Sequence, residues 1–454
     1  MFAFLKPKIA SAKVPADQVE KRYKQLRLQS LLGVFFGYMA YYIVRNNFKL
    51  STPHLQKELE LSNTEVGILL SCLLITYGIS KGIMSSLADK ASPKRYMALG
   101  LALCAMVNIM LGFSTGFWVF AGLTVLLGLF QGMGVGPSFI TLANWYPRKE
   151  RGFITALWNI SHNIGGGIVG PIVTFSLLML GGDEHWQVAS YQIPAAIAVV
   201  FVLVILYFTK EKPENEGLPT VTEMFKDNLD SALAKQDVKP PSDMTAWQIL
   251  YHYVLKNKNA WLVSLADVFV YMIRFGVIAW LPIYLSNVKG FSKGEMGIAF
   301  LIFEWAAIPS TLLVGYMTDR FFKGYRMPPA IICMFIIFFG IIGYWLSDSL
   351  IMVTVFAGVI GALIYVPQFL CSLQTLEVVP PFAVGSAVGL RGILSYLLGA
   401  SLGTTLFGLF VDLWGWNSGF YLLLVATVLC IIFCYWLHVS VKAVQKKAEE
   451  ALTM

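Results

Sequence analysis

Apolar runs long enough to cross about 30 Å of hydrocarbon recur near residues 28–49, 66–87, 96–114, 117–143, 154–180, 192–208, 261–285, 297–317, 328–346, 350–376, 383–413 and 419–438. Six runs, a polar interval and six more predict an all-α membrane protein, with twelve transmembrane helices in two six-helix pseudo-symmetric bundles. The expected boundaries are an N-terminal bundle at 1–208, a cytoplasmic linker at 209–260, and a C-terminal bundle with its tail at 261–454. Between Asp243 and Leu255 of the linker, Trp247, Leu250, Tyr251 and Val254 recur at helical spacing, which predicts a helix lying on the membrane surface.

The two halves repeat. Ser62-x-x-Glu65-x-Gly67 returns 230 residues later as Ser292-x-x-Glu295-x-Gly297, each a capping box opening a helix. Asp89-Lys90 returns as Asp319-Arg320 and Pro137 as Pro367 at the same offset, and Arg45 returns as Arg274 at an offset of 229. A parallel six-plus-six repeat is one way in which secondary transporters are built.

Composition agrees with the pattern and narrows the function. Only 13% of residues are charged, half the share usual in soluble domains, and the mean hydropathy is +0.67. The net charge of +8 needs no nucleic-acid partner, because 26 of the 34 Lys and Arg fall in segments on one side of the predicted topology and four in the opposite loops. That bias predicts both termini in the cytoplasm. No Lys precedes a Ser or Thr, so the chain carries no phosphate-loop lysine motif for ATP-driven work. Nor is there a nucleophile with a base at triad spacing, and an enzyme is not expected. All six cysteines lie in apolar runs, which argues for packing rather than disulfides or a metal centre. No cofactor or metal is expected.

Several segments resemble known proteins. Leu87-Ala88-Asp89-Lys90 through Arg95, and Met317-Thr318-Asp319-Arg320 through Arg326, look like the loop signature of the major facilitator superfamily. GYMAYYIVRNNF (37–48), TYGISKG (76–82), FQGMGVGPS (130–138), RGFITALWNISHNIGGG (151–167) and FVYMIRFG (269–276) resemble its organophosphate:phosphate antiporters. RNNFKLSTP, SSLADKASPK, MGVGPSFIT and FAVGSAVGLRG are most similar to the phosphoglycerate carriers within that family. Glycerol-3-phosphate carriers have a Lys after the first-helix Arg and an acid five residues after its counterpart, where this chain has Asn46 and Ala279. The resemblance therefore implies alternating-access exchange of phosphoglycerates or phosphoenolpyruvate for inorganic phosphate by a monomeric carrier in the bacterial inner membrane. The alternatives are a glycerol-3-phosphate or hexose-phosphate antiporter, a transporter-like membrane sensor of organic phosphates, and proton-coupled symport resting on Glu304, Asp267 and His162.

Charge inside a span costs on the order of 3 kcal/mol on insertion scales, so intramembrane ionisable residues are candidate sites. Arg274 lies thirteen residues into the seventh span, and the repeat places Arg45 at the same depth. Two guanidinium forks can hold a phosphate dianion bidentately, which ammonium groups cannot do. Tyr38, Tyr42 and Arg45 share a helix face at i, i+4 and i+7, as do Tyr77 and Lys81, and Asn159 and His162. The resemblance supports a site role for His162, includes Gln131 and Tyr271 in its motifs, and matches Tyr365 and Tyr396 to pocket tyrosines. Glu304 is expected to pair with a site cation when no anion is bound. Arg391 is expected to be an unpaired third cation that recognises a substrate carboxylate, or else to snorkel toward the cytoplasm. Asp267 is expected near the cytoplasmic end, simply hydrated. Tyr396, about 140° around an α-helix from Arg391, need not converge with it. Gly165 to Gly167 with Gly170, and Gly399 with Gly403, are expected to be close-packing positions.

Overall fold

The computed structural model describes residues 13–88, 91–225, 246–322, 325–380 and 383–453. Asp89, Lys90 and residues 243–245 lie outside these, as do the side chains of Asp319 and Arg320. The helices are α1 (Val19–Glu58), α2 (Asn63–Ala88), α3 (Pro93–Leu111), α4 (Phe117–Gln131), α5 (Val135–Trp145), α6 (Arg148–Met179), α7 (Ile193–Phe208), α8 (Lys258–Ile283), α9 (Lys293–Trp305), α10 (Ala307–Phe321), α11 (Met327–Leu346), α12 (Leu350–Glu377), α13 (Val384–Leu394), α14 (Phe407–Trp414) and α15 (Trp416–Thr453).

Among the described residues, eleven segments are long and apolar enough to cross a membrane. The remaining expected span lies in α1, whose apolar run is diluted by Tyr38, Tyr41, Tyr42, Arg45, Asn46 and Asn47. Every residue from Gly37 to Leu55 is buried. The polar side chains therefore face protein rather than lipid, and the low hydropathy of α1 follows from its enclosure. α1 also continues past the expected end at 49 to Glu58. Lys49, the last residue of that expected span, is buried and donates to Asn46 Oδ1 at 3.0 Å.

Three expected spans are interrupted. The fourth breaks at Gly132–Gly134 between α4 and α5, and the eighth at Ala306 between α9 and α10. The eleventh leaves α-geometry for π-helix at Ser395–Ala400 and Leu402–Leu406.

The chain clusters into two compact units. One comprises the described residues of Met1–Leu55 and Thr76–Gln236, and the other those of Gln56–Ile75 and Asp237–Met454. In the first unit a Cβ on Gly165 of α6 would lie 2.1 Å from Met39 O of α1. In the second a Cβ on Gly399 would lie 2.4 Å from Val268 O of α8, and one on Gly403 2.4 Å from Met272 O. Met39 and Val268 are 229 residues apart, the spacing of Arg45 and Arg274. The same backbone contact thus recurs in both units, and only glycine permits it.

Both capping boxes form. Ser62 N–H donates to Glu65 Oε2 at 2.8 Å and Glu65 N–H to Ser62 Oγ at 3.2 Å. Ser292 and Glu295 repeat the exchange at 2.8 and 3.4 Å. Within the second unit, Asp412 of α14 caps α2: it accepts from the N–H groups of Asn63 and Thr64 at 3.0 and 2.7 Å, and from their side chains at 2.8 and 2.6 Å. The orphan donors of a helix N-terminus are thereby met by a carboxylate, which the helix dipole also favours.

The linker helix divides its apolar residues between two surroundings. It is α-helical at Ala246–Ile249 and π-helical at Leu250–Leu255. Leu250 and Val254 share an apolar cluster with Val378 and Val379, just after α12, and with Ala383 and Ala387 at the start of α13, while Trp247 and Tyr251 stay exposed. Only part of the stripe expected to face lipid is therefore available to it.

Candidate substrate-binding site

In the first unit the site is built on a kink. Val44 departs from helical dihedrals (φ −85°, ψ 15°) one residue before Arg45. Asn108 of α3 donates to the Val44 carbonyl at 2.9 Å and also to Cys104 O at 3.0 Å, and its own carbonyl accepts from Asn47 at 2.6 Å. Asn47 further donates to Ser190 O at 2.8 Å. These buried amides hold the bent segment and so aim Arg45. Its guanidinium lies 3.8 Å from the Tyr77 ring centroid and 5.2 Å from that of Tyr42. Aromatic faces lower the cost of enclosing this cation, which is 3% exposed.

The expected neighbours largely assemble. Tyr38 stacks on Trp158 at 4.5 Å, and Tyr42 meets His162 at 5.1 Å. His162 Nδ1 contacts Asn159 O, which orients the ring toward α1. The Gln131 amide donates to Tyr41 O at 2.9 Å and ties the Gly132–Gly134 break to the backbone of α1. Lys81 is half-buried, one turn beyond Tyr77.

In the second unit Arg274 is 6% exposed. It donates through Nη1 to Gln368 Oε1 and through Nη2 to the Tyr365 hydroxyl, both at 2.9 Å, and lies 4.3 Å from the Tyr365 ring centroid. Tyr365 in turn donates to Glu304 Oε2 at 2.7 Å. The expected link between Glu304 and a site cation thus runs through a phenol. Gln368 also donates to Tyr271 OH at 3.5 Å. Sequence reading missed Gln368, although it lies three residues from Tyr365 and so on the same helix face.

Two expectations about the contact of α13 with α8 are corrected. Arg391 is not unpaired: its Nη1 donates to Asp267 Oδ2 at 2.7 Å, and Ser395 Oγ lies 2.7 Å from both that oxygen and the Arg391 carbonyl, with one proton to share between them. Asp267 is not hydrated either, being wholly buried. The acid that pairs with Arg391 comes from α8 rather than from its own helix, a choice that inter-helix packing makes. Tyr396 also reaches α8, packing edge-on against Tyr271 at 5.0 Å. Arg391 and Tyr396 therefore meet α8 one turn apart, because the π-helical segment does not keep α spacing.

Residues 34–404 match the Major Facilitator Superfamily. The phosphoglycerate transporter protein of Salmonella typhimurium is 60% identical over 452 residues, covering 100% of this chain and 97% of that one. The hexose-6-phosphate:phosphate antiporter of Escherichia coli is 31% identical, covering 92% and 91%. A bacterial homologue of the human lysosomal transporter Spinster, solved in an inward-facing unoccupied conformation, shares the fold with a TM-score of 0.72 at 16% identity, covering 93% and 98%. The chain belongs to the Major Facilitator Superfamily, and within it to the organophosphate transporters that the first two relatives represent. It is a multi-pass membrane carrier and not an enzyme.

Proposed function

We propose that this protein exchanges phosphoglycerates or phosphoenolpyruvate for inorganic phosphate by alternating access, as a monomer in the bacterial inner membrane with both termini cytoplasmic. The observation that carries the reading is one buried arginine per half, at equivalent places in the repeat, each beside a tyrosine ring: Arg45 by Tyr77 and Arg274 by Tyr365. Both are donor-rich groups suited to a phosphate's acceptor oxygens. The 60% identity to a phosphoglycerate transporter supports the substrate class, and the likeness to a hexose-6-phosphate:phosphate antiporter supports phosphate as counter-substrate.

Exchange follows from electrostatics. Guanidinium groups without an anion are costly in a medium of low dielectric, so the unloaded carrier is expected to reorient slowly. Purified protein in proteoliposomes should take up 3-phosphoglycerate rapidly when they are preloaded with phosphate and slowly when they are empty. Equal rates would refute obligatory exchange, and no counterflow at all would favour a sensor. Arg45→Lys and Arg274→Lys keep charge but lose the fork. Each should weaken phosphate binding by at least about tenfold, the equivalent of one charge-assisted hydrogen bond.

A further inference from the structure

Beyond Val44 the dihedrals of α1 are helical again, and Asn47 and Ser51 fix which way it faces. Asn47 donates to Asn108 Oδ1 of α3 at 2.6 Å and to Ser190 O at 2.8 Å, and Ser51 Oγ lies 2.6 Å from the Tyr191 hydroxyl. These two residues, one turn apart, mark the side of α1 that packs into the first unit. Arg45 and Lys49 each stand two residues from Asn47, about 160° around the helix from it and about 40° from each other. They therefore share the opposite face.

Lys49 is not a surface cation. It is 5% exposed, nearly as enclosed as Arg45 at 3%, whereas Lys57, two turns further along α1, is exposed. Its ammonium donates to Asn46 Oδ1 at 3.0 Å. That bond draws it back over the turn that carries Arg45, the direction in which helical side chains lean. Like charges at i and i+4 repel on an exposed helix, and enclosure strengthens the repulsion. An anion lying across both turns relieves it. Asn46 offers Lys49 a neutral acceptor, so a carboxylate that displaces the amide replaces a neutral acceptor with a charged one.

We infer that Lys49 reads the second anionic group of a phosphate ester while Arg45 holds the phosphate, and so sets a preference for phosphorylated carboxylates. In 3-phosphoglycerate four bonds of about 1.5 Å separate phosphorus from the carboxylate carbon, about 5 Å when extended. That span matches one helical turn of about 5.4 Å. An ester that ends in a hydroxyl gains no ion pair from Lys49. Asn46 is a positioning residue that keeps the ammonium within reach. This inference rests on the exchange reading above and adds a specificity residue to it.

The test is inhibition of phosphate:phosphate exchange in proteoliposomes by 3-phosphoglycerate and by glycerol 3-phosphate, which differ only in carboxylate against hydroxymethyl. The ratio of half-inhibitory concentrations is read within each variant, so that overall rate cancels. Lys49→Gln should move the ratio toward parity by about tenfold, the equivalent of one charge-assisted hydrogen bond. Asn46→Asp leaves Lys49 in place but gives it an anionic acceptor that competes with the substrate carboxylate. It should move the ratio the same way by about two- to threefold, and it serves if Lys49→Gln fails to insert. An unchanged ratio in Lys49→Gln, whether both inhibitors weaken equally or neither does, overturns the inference. The same result in Asn46→Asp overturns it where Lys49→Gln is not obtained. Wild-type protein that exchanges no phosphate would instead refute the exchange reading.

Discussion

Tyr365→Phe tests the arginine site with the smallest possible change, the loss of one oxygen. The ring is retained, and with it the 4.3 Å approach of Arg274 to the ring centroid. What disappears is the bridge: the 2.9 Å bond from Arg274 Nη2 and the 2.7 Å bond to Glu304 Oε2. Each involves an ionisable partner that is nearly inaccessible, Arg274 at 6% and Glu304 at 1%. At about 1.5–3 kcal/mol per bond to a charged group, losing both costs about 3–6 kcal/mol before relaxation. Movement of Arg274 toward Glu304 recovers part of this, so a net loss of about 2–4 kcal/mol is expected, within the upper tail for single substitutions. The same movement tightens the hold of Glu304 on Arg274, and the anion must then displace a closer competitor. KM for phosphate in equilibrium exchange should rise by about tenfold for every 1.4 kcal/mol of that added competition. Thermal melting in detergent and exchange kinetics in proteoliposomes read the two effects separately. If the variant melts with wild-type protein and exchanges phosphate with unchanged KM, the phenol does not bridge these groups and the reasoning fails.

Glycine substitutions should divide sharply. Gly165→Ala places a methyl 2.1 Å from Met39 O and should cost about 1–3 kcal/mol by overpacking, whereas Gly389→Ala meets nothing within 4 Å and should be neutral or slightly stabilising; melting of both variants checks the contrast. Asp412→Ala removes the cap of α2 and should cost about 0.5–2 kcal/mol, while Asp412→Asn, which retains one acceptor oxygen, should cost less; thermal melts rank the two. Asn108→Leu removes the donor to Val44 O and the acceptor of Asn47. It should destabilise by about 1–3 kcal/mol and weaken phosphate binding although Asn108 touches no anion, as parallel melting and KM measurements would show.

Gln131, Asp267 and Arg391 show where sequence reading runs out. Each was recognisable as a polar residue within an apolar helix, because the cost of such a residue is local and can be read from its flanks. What each one faces was not recognisable. Gln131 is spent on the backbone of α1, and Asp267 meets an arginine 124 residues away. The departure of the eleventh span into π-helix was not legible either, because 100° spacing holds only for an α-helix.

The sequence by itself determined the apolar helical runs, the two-fold repeat, the capping boxes and the equivalent places of Arg45 and Arg274 in that repeat. These follow from hydropathy, short-range spacing and comparison of the chain with itself. Only the tertiary structure decided that Arg391 is held by Asp267, that Gln368 and Tyr365 carry Arg274, that Asn108 fixes the kink beside Arg45, and that Asp412 caps α2. The physical reason is that these contacts depend on how helices rotate and approach one another. That geometry is set where Gly165 and Gly399 let backbones close to contact, and no window of local sequence contains it.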